Sequence, residues 1–252
     1  DLALLLPLTT QARERLGPEA VEIRILDQWG RPFEQYPARR STPTTERSYL
    51  EAKPGAPYAI QIRNRTGGAI GLVIAVDGRN IISGQPSELH PEERMYILGP
   101  GQRAVYRGWR TGQDRINRFY FTDEDHSYAG AWKDFSAMGV IAVAAFQEAE
   151  RYRPWHDPRS AGKVLPRARP EAGTRGFGAE SNRPGTGFGD KRRSPSRPVE
   201  FYPQARPFAR QFIHYEWRQT LCRRGIIDCR RHRPDRLWGD KGFAPYPPGY
   251  RP

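Results

Sequence analysis

The aliphatic residues are distributed so unevenly that they argue against a single globule packed evenly along its length. The 104 residues after Glu148 contain only eight Val, Ile or Leu: Val164, Leu165, Val199, Ile213, Leu221, Ile226, Ile227 and Leu237. The same stretch carries 14 Pro and 11 Gly. A segment so poor in aliphatics cannot offset its chain entropy with a core of its own. Yet it holds 14 of the chain's 29 aromatic residues, and rings spaced along a Pro/Arg chain suit anchors that insert into another surface.

Charge follows the same divide. Residues 1–148 carry 18 Lys+Arg and 18 Asp+Glu, whereas residues 149–252 carry 23 and 10 and so hold the whole net charge of +13. Of the 41 basic residues 36 are Arg. Arginine suits planar, bidentate and stacked contacts at interfaces, although a GC-rich genome gives the same bias.

The front of the chain reads as strands. Val21–Ile25, Tyr58–Asn64, Arg103–Trp109 and Ile116–Phe121 alternate apolar with polar residues, and Ile70–Val76 and Gly139–Phe146 are continuous apolar runs. Arg79–Ser83 returns from an Asp77-Gly78 hairpin turn, and Met95–Leu98 leads to Gly99-Pro100-Gly101. Residues 37–47 read as a loop. About eight short strands with almost no helical periodicity indicate an antiparallel β-sandwich over residues 19–148. Residues 1–18 are expected to be an apolar arm with a short helix capped by Thr10, and residues 149–252 a long irregular Arg/Pro/aromatic extension. One helix is expected in that extension at about 207–224, because Phe208, Phe212 and Tyr215 fall at i, i+4 and i+7, Pro207 suits the first turn and Gly225 the stop. Residues 19–148 should then fold without the extension.

Two cysteines, Cys222 and Cys229, are expected to form one disulfide around the loop between them. The chain begins at Asp1, read as a processed N-terminus after removal of a signal peptide. Its apolar run Leu2–Leu8 is too short to span a bilayer, so no membrane span is expected and the location is secreted or in the cell envelope.

From Tyr58 to Glu148 a series of motifs stands out: Val76-Asp77-Gly78-Arg79-Asn80, then Gly108-Trp109-Arg110, then Ser127-Tyr128-Ala129, then Gly139-Val140-Ile141-Ala142-Val143-Ala144-Ala145-Phe146. The series resembles a family of uncharacterised exported bacterial β-domain proteins. The resemblance covers roughly 90 residues and implies export and a compact β domain; it brings no catalytic residue.

Candidate chemistry is sparse. Asp77, Asn80, Arg110 and Tyr128 form a candidate polar loop cluster at one end of the sandwich, with turn chemistry as the simpler explanation. Asp123-Glu124-Asp125-His126 offers three carboxylates and an imidazole to a hard cation, but lacks EF-hand spacing and reads better as a solvated turn. No Gly-x-Ser-x-Gly elbow or zinc spacing is present, and neither a cofactor nor a catalytic activity is expected. The glycines of Gly185-Thr186-Gly187-Phe188-Gly189 follow no strand and open no helix, against a nucleotide loop. Lys191-Arg192-Arg193-Ser194-Pro195-Ser196-Arg197 is a basic run able to hold nucleic acid or acidic polysaccharide.

Two functions follow as expectations. The first is a non-enzymatic structural subunit of an extracellular or envelope assembly, filament-like, whose arms dock on copies of itself or other subunits through Leu4, Leu6, Tyr152, Trp155, Phe208, Phe212, Trp217 and Trp238. The second is binding of an acidic polymer, DNA or polysaccharide, through the basic extension.

Overall fold

Alternation along the strands divides the side chains between two hydrophobic clusters, and this division sets the architecture. The computed structural model describes residues 16–149 and 183–229. The strands are β1 (Val21–Asp27), β2 (Gln35–Pro37), β3 (Thr45–Ala52), β4 (Pro57–Asn64), β5 (Ile70–Val76), β6 (Arg79–Asn80) and β7 (Tyr96–Leu98). They continue with β8 (Arg103–Tyr106), β9 (Gly108–Arg110), β10 (Arg115–Asp123), β11 (Val140–Gln147), β12 (Pro184–Thr186), β13 (Lys191–Arg193) and β14 (Ala209–Trp217). One helix, α1 (Arg218–Arg223), follows β14.

The strands form two sheets, as a sandwich requires. The first runs β1-β4-β10-β12, with β8 on β4 and with β9 and β13 on β10; the second runs β2-β3-β14-β11-β5-β6, with β7 on β5. Between them lies the main core: Ile23, Ile60, Ile62 and Phe119 from the first sheet meet Leu72, Ile74, Val143 and Ile213 from the second. The alternate residues of β5 and β11, among them Val73, Ala75, Ala144 and Phe146, form a second cluster with Leu89 and Met95. Burial on both faces explains why β5 and β11 are continuous apolar runs.

The extension behaves differently from the expectation. Residues 209–217 form a strand, not the first half of a helix, and only 218–223 are helical. The burial pattern has period two: Ala209, Gln211, Ile213 and Tyr215 are buried while Arg210, Phe212 and His214 between them are half-buried. The spacing of Phe208, Phe212 and Tyr215 matched a helical face only because aromatics lie on both sides of this strand. β14 sits inside the second sheet, antiparallel to β11 and parallel to β3. Part of the 37–47 loop and the polar run after it is also a strand, β3, whose charged residues Glu46, Arg47 and Glu51 hid its alternation.

The domain boundary at 148 therefore does not hold. Residues 183–217 fill an edge of one sheet and the interior of the other, and the surface that orders them is their own domain's. The Leu2–Leu8 arm, the Thr10 cap and the segments 150–182 and 230–252 lie outside the described residues. The disulfide Cys222–Cys229 is formed, with Cα atoms 5.5 Å apart. Among the described residues no helix is long and apolar enough to cross a membrane.

Candidate functional site

Strand β10 organises a basic surface among the described residues. One edge of it pairs with β9 and β4. The other takes β12 along Phe121–Asp123 and β13 along Arg115–Asn117, so residues 184–193 run antiparallel beside nearly all of β10. Three glycines make this close approach possible. A side chain at Gly187 would enter the Tyr120 ring, one at Gly185 would meet Ser127, and one at Gly189 would reach the Arg118 carbonyl. The amides of Gly187 and Gly189 donate to the carbonyls of Tyr120 and Arg118 at 2.8 and 2.9 Å. The alternate glycines thus serve sheet packing, and Gly185 lies within β12 with Gly187 directly after it, so the expectation that these glycines follow no strand does not hold.

This segment is the rim of the first sheet, and its outer strand β13 is exposed at every position. Register places Arg193 opposite Arg115 and Lys191 opposite Asn117. Exposed Arg107 and Arg197 and half-buried Arg118 belong to the same corner, for the carbonyl of Arg107 receives the Phe119 amide and Ser196 is hydrogen-bonded to Gln113. Against these seven cations stand Asp114, 3.4 Å from Arg115, and Asp190, 3.8 Å from Arg192. Both pairs are exposed and worth little. The basic run 191–197 was visible in sequence. Arg107, Arg115 and Arg118 were not, because they come from the charge-neutral front and only the strand register brings them alongside.

An aromatic stack leads from the core to the same rim. Phe119 meets Trp109 edge-on at 5.4 Å, Trp109 lies 4.4 Å from Tyr128, and Tyr128 stacks on Phe188 at 5.4 Å. Trp109 is buried and its indole N–H donates to the Gly187 carbonyl, whereas Phe188 is 43% exposed. Phe188 precedes Gly189, which packs on the Arg118 backbone.

The expected polar loop cluster is not one site. Asp77 is buried in the core and joins the two sheets. Its Oδ1 accepts from the Gly139 amide and the Tyr215 hydroxyl, and its Oδ2 accepts from the Thr186 amide at 2.6 Å. The Thr186 hydroxyl bonds both Tyr215 and Tyr58, at 2.7 and 2.8 Å. Burial pushes the Asp77 carboxyl up to about 6, against the lowering effect of these donors. Asn80 is buried as well and organises the loop after it, accepting from the Ile82 amide and donating to the Arg94 carbonyl. Arg110 clamps the rim segment by donating to the carbonyls of Gly112, Gln113 and Ser194. Tyr128 belongs to the aromatic stack. These four residues serve the fold, as turn and packing chemistry implied.

The acidic run is likewise structural. Glu124 is buried, which raises its carboxyl against the pull of Arg183 at 3.1 Å, and His126 Nδ1 lies 3.0 Å from Asp123. Among the described residues no group of three or more His, Cys, Asp or Glu is arranged to hold a metal ion.

The anchors assigned to neighbouring copies need correction. Phe208 and Trp217 pack against the main core, and Phe212 against the second cluster with the Arg47 guanidinium over its ring. They dock the extension onto its own domain. Leu4, Leu6, Tyr152, Trp155 and Trp238 lie outside the described residues. Comparison with known protein families, with curated proteins and with solved structures finds no match.

Proposed function

We propose that the protein binds an acidic polymer along the β10–β13 rim, outside the cytoplasm, and that it acts by binding rather than turnover. The carrying observation is the seven-cation corner: Arg107, Arg115, Arg118, Lys191, Arg192, Arg193 and Arg197, in which Asp114 and Asp190 pair with Arg115 and Arg192. A charged edge strand also guards a sheet against pairing with another chain, but that role needs only a few charges and no contribution from β10 or the β8–β9 loop. Phosphate and carboxylate are both recognised by guanidinium groups, so the chemistry covers nucleic acid and acidic polysaccharide. The exposed Phe188 adds a flat apolar face on which a base or the apolar face of a sugar ring rests. The disulfide fits an oxidising compartment. A structural subunit docking through its arms, the other expectation, loses Phe208, Phe212 and Trp217 and rests on residues outside those described.

The test is binding of labelled single-stranded DNA and of a polyuronate, each titrated over a range of salt. Affinity should fall steeply with salt for the true ligand class. The Lys191→Ala/Arg192→Ala/Arg193→Ala variant should reduce the log–log salt slope for single-stranded DNA by about 2, since each phosphate contact contributes about 0.7. Unchanged binding of both polymers by this variant would remove the rim from consideration.

A further inference from the structure

A second surface shares no residue with the rim. The loop from Asp27 to Glu34, strand β2 and the β3–β4 loop enclose an open cleft of about 1060 Å³. Its walls include Trp29, Phe33, Tyr36, Pro54 and Pro57. Trp29 is 71% exposed, the most exposed of the large apolar side chains described. It is held in place: its amide and that of Arg31 donate to Asp27 Oδ1, and the Arg31 guanidinium, paired with Asp27 at 3.0 Å, lies 4.9 Å from the indole centre. Phe33 packs its inner side edge-on against Phe121 in the core and leaves its outer side to the cleft. Carboxylates of Asp27, Glu34 and Glu51 lie along the walls with the cations Arg31 and Lys53, an excess of one acid in a chain whose net charge is +13.

Fixed aromatic rings and prolines with acids at the rim suit an extended proline-rich strand. Such a segment takes the polyproline II form without further ordering, and its prolines fill the slots between the rings. The chain contains one. Ala244-Pro245-Tyr246-Pro247-Pro248-Gly249-Tyr250-Arg251-Pro252 has four prolines in nine residues, and residues 230–252 carry six Lys or Arg against two Asp.

The path to the cleft is short. α1 begins where β14 ends, beside β3, and Arg218 Nη1 is 2.9 Å from Glu51 Oε2, a carboxylate of the cleft wall. Cys229, tied to Cys222 of that helix, is the last described residue. Fourteen residues separate Cys229 from Ala244, and a chain of that length spans up to about 50 Å. Tethering at this point makes docking within one molecule favoured over docking between molecules at low concentration.

We infer that the Trp29 cleft is the docking site of the chain's own proline–tyrosine segment, residues 244–252, bound within the same molecule. Tyr246 and Tyr250 lie against the aromatic walls, and Arg251 meets the acidic rim.

The test uses the full chain with Tyr246 replaced by the photo-crosslinker benzoylphenylalanine, irradiated at low micromolar concentration. Mass spectrometry should place the crosslinks in Gln28–Tyr36 or Lys53–Pro57, in a band of monomer size. Trp29→Ala should reduce them about tenfold without unfolding the domain, since the ring is exposed. Glu34→Lys is the second variant and should weaken them as well. Excess synthetic peptide of residues 244–252 should compete. Crosslinks scattered over other elements overturn the assignment. A dimer-sized product overturns docking within one molecule and makes a second copy the occupant. Neither result touches the rim, whose test reads polymer binding.

Discussion

At the scale of single residues, the most constrained position is Asp77. It has φ of 49° and the following Gly78 has φ of 77°, the left-handed pair that a tight hairpin needs. The Asp-Gly dipeptide made that turn legible in sequence. What sequence concealed is that the carboxyl turns inward, because its partners are 109 and 138 residues away at Thr186 and Tyr215. The hydroxyls of Tyr58, Thr186 and Tyr215 can donate in series toward the Asp77 carboxylate. The pH dependence follows in sign. Unfolded, Asp77 titrates near 3.8; folded, it titrates at about 6. Between these values the folded state holds a proton that the unfolded state has released. The contribution is therefore fully present below about pH 4, is lost as pH rises through 6, and amounts to about 3 kcal/mol. Urea midpoints measured from pH 4 to 7 should fall less steeply in Asp77→Asn than in the parent protein. Parallel curves would show that another group is responsible. Tyr215→Phe removes a donor that lowers the Asp77 carboxyl, so the loss should move to higher pH.

At the scale of elements, β14 is the informative strand. The front strands were legible because their aliphatics alternate or run continuously. β14 was not: Arg210, Gln211, His214 and Glu216 dilute its alternation, and Gln211 is buried only because its amide donates to the carbonyls of Pro18 and Val21. β12 and β13 were hidden for another reason. Glycine and basic residues have low strand propensity, and their pairing with β10 depends on an absence of side chains rather than on a pattern of them. The outcome inverts the view that residues 19–148 fold unaided. Removing everything after Glu148 takes an interior strand from the second sheet and exposes both β3 and β11. Such a truncation should lack the cooperative thermal transition of the full chain, as followed by circular dichroism. A specific protease site introduced between residues 150 and 182 gives the complementary result. After cleavage the two fragments should co-elute on size exclusion and separate only in denaturant, because β14 is bonded to β3 and β11 along nearly its whole length. Fragments that separate in buffer would refute this role for β14.

At the scale of the whole molecule, the shortage of aliphatics after Glu148 has a physical resolution that composition alone could not supply. A strand entering an existing sheet needs few apolar residues, because its neighbours provide most of the buried surface; Ala209, Ile213 and Tyr215 suffice on the main-core face. The residues left over are charged or aromatic, and they are free to define surfaces. Two such surfaces arise in different places. The rim is at the β12–β13 edge of the first sheet, while the cleft is built from the β1–β2 and β3–β4 loops and β2. With no shared residue, their energetics should add. The Lys191→Ala/Arg192→Ala/Arg193→Ala variant should lose polymer affinity and keep the crosslink between position 246 and the cleft. Trp29→Ala should lose the crosslink and keep polymer affinity within about twofold, the spread expected of independent sites. Combining the substitutions should give the two losses side by side. If Trp29→Ala instead weakened polymer binding as much as the rim variant does, the two surfaces would be parts of one site, with the basic residues of 230–252 carried onto the polymer from the cleft.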